Sequence, residues 1–323
     1  MTRHDERFVR YLEAKEPVDD HALHRPTLAR LSDLLEARAE SRPGKPLRVV
    51  SVGAGTGAMC RRLLSWGVFD SHDDIKYVMV DKQEGLADRA AAAFARWAPA
   101  AGWEATPTKN GFRIERHGRR VDLTYITGDL FDATAVLPQA IDLVIAHAVF
   151  DLLPLKRATE SLVSRLTERG LVYAPITFDG HTSFRPSHQS DERVLDAYHE
   201  TMQTEDHNGA TTGSDLFSVF PAVGLSLVSA GGSDWTIHPP YDDTDPVFLD
   251  QILRFVEQSL TDEGVEATEQ EGERDGTTVS DGGESNDEFQ DELQTWLSTR
   301  HRQLERESLT YIAHNVDLLA QLD

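Results

Sequence analysis

The most constraining stretch of this chain is Leu47–Leu64, where an apolar, β-branched run (LRVVSV) passes through GAGTG into AMCRRLL. Val49, Val50 and Val52 have the composition of a strand buried on both faces. Gly53, Ala54, Gly55 and Gly57 follow at once. Residues without a Cβ let the backbone turn sharply and approach a ligand closely. The helix expected over Met59–Trp66 presents unpaired N–H groups at its start. Strand, glycine turn and helix in that order open a β/α sheet whose ligands bind beyond the carboxyl ends of the strands. The loop alone leaves the ligand open, because GAGTGA also satisfies the G-x-G-x-x-A spacing of dinucleotide sites.

Alternation continues downstream. Lys76–Val80 (KYVMV) reads as a second strand and the Ala-rich Gln83–Trp97 as a helix. Phe112–Arg116 and Val121–Thr127 read as strands around the turn HGRR. Ile141–Ala146 is a strand, Ala158–Leu166 a helix and Gly170–Thr177 a strand. This order predicts a parallel sheet covered on both faces. Residues 1–46 are expected to be helical, with Leu28, Leu31, Leu34 and Leu35 at helical spacing and a break at Pro43, Gly44 and Pro46. Past Asp179 the pattern changes to helix (191–202), two strand segments (225–230, 235–238), helices at 247–260 and 289–304, and a last strand at 309–319. The division predicted is an N-terminal helical cap (1–46), a core (47–180) and a third part (181–323). That third part carries an acidic loop, 261–288, with no core pattern and expected mobility.

Charge limits the partners. The net charge is −23, and a bare acidic surface repels phosphate backbones, so nucleic acid is not an expected partner. The segment 261–288 holds 11 acids and one Arg, and without it the rest still carries −13. With 6 lysines among 32 basic residues, this points to a halophilic source, where molar salt shortens the Debye length to roughly 3 Å. The start, MTRHDERFVRYLEAKE, lacks the apolar stretch of a secretory signal, and no apolar run is long enough to span a membrane. The expectation is a cytoplasmic protein. Cys60 is the one cysteine, which excludes internal disulfides and a Cys-rich metal site.

Two acids accompany the glycine loop. Asp81 ends the second strand in VMVDKQ, next to Lys82, where a carboxylate can accept both hydroxyls of a ribose. Asp129 follows the strand ending ITGD, with Leu130 and Phe131 beside it. It can accept from an adenine amino group or simply cap a turn. The ordered series VVSVGAGTG, VMVDKQ, ITGDLFD, IDLVIAHAVFDLLP and RGLVYAPITFDG resembles the motifs of class I S-adenosylmethionine-dependent methyltransferases over 47–180. The resemblance implies a Rossmann-like α/β fold: a seven-stranded, mostly parallel sheet with an antiparallel last strand, N-terminal helices and helical insertions near the C-terminus. It also implies S-adenosylmethionine as cofactor. By position, Gly53, Ala54, Gly55, Gly57, Asp81 and Lys82 would hold the amino-acid and ribose part, Asp129 and Leu130 the adenine. His147 and Ala148 would flank the methyl group. The run AHAVFDLL departs from an Asn-Pro-Pro-aromatic motif, which argues against methylation of base or glutamine amino groups.

Methyl transfer from a sulfonium needs alignment more than acid–base groups, and positioning can supply about 7–11 kcal/mol. A base, if used, belongs at the carboxyl edge of the sheet. His147 is one candidate, with Asp151 either orienting it or capping a turn; His181 is a second. Within TFDGHTSFRPSH, Asp179, His181, Arg185 and His188 are acceptor-pocket candidates beside Phe178 and Phe184. Tyr198, His199 and Trp235 could close such a pocket. No metal is expected: the strand 141–146 ends in Ala146–His147, not an acid, and the histidine spacing over 181–199 fits no zinc pattern. Three other readings stay open: an NAD(P)-dependent oxidoreductase, a non-catalytic donor-binding protein of the same fold, and aminopropyl transfer. The acceptor expected is a small molecule.

Overall fold

A computed structural model describes residues 3–109, 111–133, 136–204, 207–261 and 283–323. Its centre is the predicted alternation. Strands β1 (Leu47–Val52), β2 (Asp74–Asp81), β5 (Arg119–Thr127), β6 (Ile141–Ala146) and β7 (Leu166–Arg185) pair in parallel in the order β7-β6-β1-β2-β5. The order reverses at β1, so a crevice opens beyond its carboxyl end, where the glycines lie. Val49, Val50 and Val52 are almost fully buried, as strands sandwiched between helices must be.

The sheet closes at one side by a reversal. β12 (Thr310–Leu322) runs antiparallel to β7, and β10 (Leu225–Gly232) antiparallel to β12. These seven strands are the sheet that the resemblance implied. Three strands extend it. β3 (Glu104–Thr108) and β4 (Gly111–Arg116) form a hairpin on β5, and β11 (Trp235–Ile237) adds to β12. β3 reads EATPT, is exposed throughout and gave no apolar signal.

Helices α2 (Arg25–Ser41), α3 (Ala58–Ser65) and α4 (Leu86–Ala100) bury Leu31, Leu35, Leu63 and Phe94 against one face of the sheet. The other face is covered by α5 (Leu130–Ala133), α6 (Leu155–Val163) and α8 (Thr212–Ala222) through Leu130, Leu162, Leu216 and Phe220. Sequence spacing did not reveal α8, whose Gly213 and Pro221 lower its helix propensity. Its first turn is held from outside: Asp179 accepts the Ser214 N–H at 2.7 Å and its Oγ at 2.9 Å.

A third core stands above the carboxyl edge. β7 continues well past the expected Thr177, paired with β12 through Thr182↔Ala313 and Phe184↔Tyr311. Thr182 and Phe184 are buried there while His181, Ser183 and Arg185 are not, the period of a strand covered on one face. On that ribbon pack α1 (Arg3–Ala22), α7 (Asp191–Glu200), α9 (Asp245–Leu260) and α10 (Gly283–Glu305). They contribute Tyr11, Val194, Phe248 and Trp296 to a common cluster with Phe184 and Tyr311. α10 starts at Gly283, earlier than Phe289, so 283–288 are helical; residues 262–282 of the acidic loop lie outside the described residues. Among the described residues no helix is long and apolar enough to cross a membrane.

Candidate active site

Two glycines of the loop are required by space as well as by backbone. Gly53 has φ +59°, and a Cβ there would stand 2.6 Å from Val149 Cγ2. Gly57 has φ +76°, and its Cβ would stand 2.7 Å from Phe94 Cε2. Any L-residue in that backbone region is strained, and here it would also collide. Gly55 has φ +54°, and a Cβ there would meet only Leu12 of α1, at 3.6 Å, an ordinary contact. Arg61 fastens the loop by donating to the Thr56 carbonyl at 2.6 Å, and Tyr125 Oη donates to the Gly55 carbonyl at 2.9 Å.

Asp81 stands at the end of β2, half-buried, and reaches across to this loop. Its Oδ2 accepts the Gly55 N–H at 2.8 Å and its Oδ1 the Gln83 N–H at 3.0 Å. A carboxylate has about four acceptor sites, so two remain for hydroxyl donors. Lys82 beside it is exposed, and Ala54 packs on the core below. Asp129 caps α5: its Oδ1 accepts the Phe131 N–H at 2.8 Å. The cap reading is therefore present, and it uses one oxygen of the two. Leu130 packs into the core with Val80 and Val144.

His147 does not meet Asp151. Its Nε2 lies 3.1 Å from Asp19 Oδ2 of α1, close but not aligned as a hydrogen bond. Asp19 is 2 % exposed, takes Lys15 Nζ at 2.7 Å and Trp235 Nε1 at 3.0 Å. Burial, and then the Lys15 charge, push the imidazole down to about 4, so it is neutral near pH 7. Asp19 is held well below the carboxylate range: burial raises it, but Lys15 and His147 outweigh that. The rest of α1 is pinned to α3 by charge pairs, Glu16 with Arg61 at 2.5 Å and Asp20 with Arg62. Lys15, Glu16, Asp19 and Asp20 were not picked out from sequence. Lys15 and Asp19 are four apart, and such pairs read as a solvated helix face.

Asp151 lies in a short 3-10 turn, Phe150–Leu152, just after β6. Its Oδ1 is buried without a hydrogen-bond partner. Burial pushes its carboxyl up to about 6.

The remaining candidates scatter. Asp179 is spent on α8. His188 serves the α7 start, its Nδ1 accepting the Ser190 N–H at 3.2 Å. Arg185 donates to the Phe184 carbonyl at 2.8 Å. His181 is exposed and lines a cleft of about 260 Å³ with His199, Asp196 and Arg185, between β7 and α7 rather than at the glycine loop. His199 Nε2 pairs with Thr182 Oγ1 at 3.1 Å.

A nucleoside-type loop at the switch point, an acid at the end of β2 and a reversed final strand define a class I S-adenosylmethionine-dependent methyltransferase. An all-parallel doubly wound dinucleotide sheet has no counterpart to β12. Residues 32–222 match the family model described as "Putative S-adenosyl-L-methionine-dependent methyltransferase", and the chain belongs to that family. Among solved structures it is similar to a "putative methyltransferase" from Bacillus halodurans C-125, with 13% identity, 90% of this chain and 98% of that one covered, and a TM-score of 0.44. It is also similar to YjhP from E. coli, with 15% identity, coverage of 96% and 98%, and a TM-score of 0.40. The plantazolicin methyltransferase BamL, solved with a desmethyl analogue and S-adenosylhomocysteine, shows 11% identity, coverage of 98% and 91%, and a TM-score of 0.42. No curated protein matches the sequence.

Proposed function

We propose that this methyltransferase transfers its methyl group in line to a small-molecule acceptor, with residues 47–180 binding the donor and 1–46 and 181–323 enclosing the acceptor. The preformed loop carries the reading: three glycines in left-handed backbone, two of them crowded, and Asp81 tied to the Gly55 N–H at 2.8 Å. When bound, S-adenosylmethionine supplies an already activated methyl group. Asp81, with Lys82 beside it, holds the ribose hydroxyls on its two unused acceptor sites. Gly53, Ala54, Gly55 and Gly57 offer backbone to the amino-acid end. Asp129 offers its second oxygen, and Leu130 its backbone, to the adenine edge. His147, neutral and wedged against Asp19, packs beside the donor; with its titration near 4 it is a poor proton acceptor at neutral pH. His181, out on the β7 ribbon, has no part in the proton chemistry. α1 excludes water over the loop, which strengthens every polar contact beneath it.

Calorimetric titration with S-adenosylmethionine and S-adenosylhomocysteine in molar KCl tests the donor site. Each charge-assisted hydrogen bond removed is worth about 1.5–3 kcal/mol, so Asp81→Ala and Asp129→Ala should each weaken binding roughly 10- to 100-fold. No donor binding by the folded wild type, with NADH bound instead, would sink the proposal.

A further inference from the structure

Three phenols and one carboxylate converge above the carboxyl edge, and apart from the bond of Asp151 to its own backbone N–H no partner among the described residues engages their polar ends. Tyr11 comes from α1, Tyr198 from α7 and Tyr311 from β12, while Asp151 follows β6. Tyr11 lies within electrostatic range of Tyr198, Tyr311 and Asp151, as does Tyr198 of Asp151 and Tyr311 of Tyr198. Their rings are fixed by other aromatics: Tyr11 stacks on Phe248 at 5.6 Å and Tyr311 packs on Phe184 at 5.1 Å. Yet among the described residues none of the three hydroxyls has a hydrogen-bond partner, nor is any of them sealed from solvent. Asp151 Oδ1 is sealed and unpartnered. Buried polar groups are ordinarily paired, so the orphaned Asp151 oxygen, with the unbonded phenols of Tyr11 and Tyr198 in electrostatic range, marks a place for a ligand.

Charge says which ligand. The buried cations of α1 and α3 are already matched: Lys15 with Asp19 at 2.7 Å, Arg61 with Glu16 at 2.5 Å, Arg62 with Asp20. The imidazole of His147 is neutral. Asp151 is left without an ion pair among the described residues, with the phenols of Tyr11 and Tyr198 in electrostatic range. Aromatic faces attract cations, and phenol oxygens accept N–H donors. A carboxylate or phosphate would be repelled, and an alcohol would leave the charge uncompensated.

We propose that the space bounded by Tyr11, Tyr198, Tyr311 and Asp151 is the acceptor pocket, and that the acceptor is a small organic amine bound as its ammonium. This rests on the methyl-transfer reading above. Asp151 then has a second task. An ammonium N–H bond breaks, the proton passes to the Asp151 carboxylate, and the electron pair stays on nitrogen as the lone pair a nucleophile needs; the proton leaves later to water. A carboxyl already lifted toward neutrality is suited to this, and the groups that face it are the Lys15 ammonium, its own backbone N–H and the phenols of Tyr11 and Tyr198.

The test uses the full chain saturated with S-adenosylhomocysteine at pH 8, titrated calorimetrically with benzylamine, benzyl alcohol and benzoate. The ammonium should bind about tenfold or more tightly than the alcohol, the difference one charge-assisted hydrogen bond makes, and benzoate should not bind. Asp151→Asn should erase that preference while leaving S-adenosylhomocysteine affinity unchanged. Tyr198→Phe should weaken the amine alone. Equal binding of all three probes, preference for benzoate, no amine binding, or a preference that survives in Asp151→Asn overturns the proposal. Failure of S-adenosylhomocysteine to bind instead strikes the donor reading, and is seen in a separate titration.

Discussion

Asp151→Asn should make the free protein more stable while impairing its use of an acceptor. The carboxyl titrates at about 6 in the folded state against 3.8 for the unperturbed group, because burial penalises the charged form. A group whose folded pKa is raised contributes its stability below the unfolded pKa and loses it as pH rises through the folded one. Above about pH 7 the ionised Asp151 therefore costs the fold two pH units of proton affinity, about 3 kcal/mol as an upper limit. The amide is nearly isosteric, can keep the bond to the backbone N–H, and never ionises. Urea denaturation at pH 8 should show the variant about 1–3 kcal/mol more stable than wild type. The gap should shrink through pH 6 and vanish only below about pH 3, where the side chain is neutral in the folded and the unfolded state. A pH-independent difference, or a variant less stable at pH 8, would refute the claim that Asp151 is buried unpaired. The gain follows the stability–activity trade-off of groups kept for function.

His147 should contribute in the opposite direction. Its folded pKa is lowered to about 4 from 6.5, so its contribution is full above 6.5 and is lost as pH falls toward 4. His147→Gln should flatten that acid limb, read from urea midpoints between pH 7 and 4. Gly53→Ala should lower S-adenosylhomocysteine affinity at least about tenfold, because the left-handed backbone costs roughly 1–2 kcal/mol before any collision. Adding Val149→Gly, which also removes the Cβ that would stand 2.8 Å away, should relieve only the collision, so calorimetry of the double variant should show partial recovery. Asp142→Asn should destabilise by about 3–5 kcal/mol, since a buried pair loses one partner. That residue is 1% exposed and binds Arg38, Arg42 and the Arg48 N–H at the amino end of β6, remote from the crevice. Donor affinity measured on the folded fraction should not change; a large change would place Asp142 in the site.

Strands buried on both faces were legible because burial writes an apolar run: 47–52 and 141–146 are read directly. The β7 ribbon past Thr177 was not. It is covered on one face only, and Gly180, His181 and Ser183 among its buried neighbours look like a polar loop. α8 was hidden for a different reason: its cap, Asp179, comes from another element of the chain. In the site, the glycine loop and Asp81 could be read because their function depends on local spacing. Lys15, Asp19 and Tyr11 could not, since what matters about them is a partner more than a hundred residues away, Asp19 meeting His147 and Tyr11 meeting Tyr311. Of the two roles open to Asp151, orienting His147 or capping a turn, the first is not seen: the turn after β6 sends the two side chains to different neighbours.

That turn is held by strained backbone. Ala148 and Ile176 both have positive φ, +51° and +54°, and a β-branched residue in that region is an outlier. They adjoin: the Ala148 N–H donates to the Pro175 carbonyl at 3.0 Å. What holds Ile176 is Asp317 of β12, which accepts its N–H at 2.9 Å, the Tyr173 hydroxyl at 2.9 Å and the His24 N–H at 3.1 Å. Strain of this kind costs about 1–3 kcal/mol and persists only where surroundings impose it. The pair sits beside the segment in which His147 lies against Asp19 of α1 and Asp151 lies in electrostatic range of Tyr11 and Tyr198. Removing the anchor should therefore do two things at once. Asp317→Ala should destabilise by about 2–4 kcal/mol through the orphaned donors. It should also free Ile176, loosening the turn that presents Asp151. Amine affinity should fall, while S-adenosylhomocysteine, held mainly by β1 and β2, should bind to the folded fraction nearly as in wild type. If both affinities fell together, the strained pair would be part of the donor site; if neither moved, Asp317 would be a stabilising residue alone, and the placing of Asp151 would have another cause.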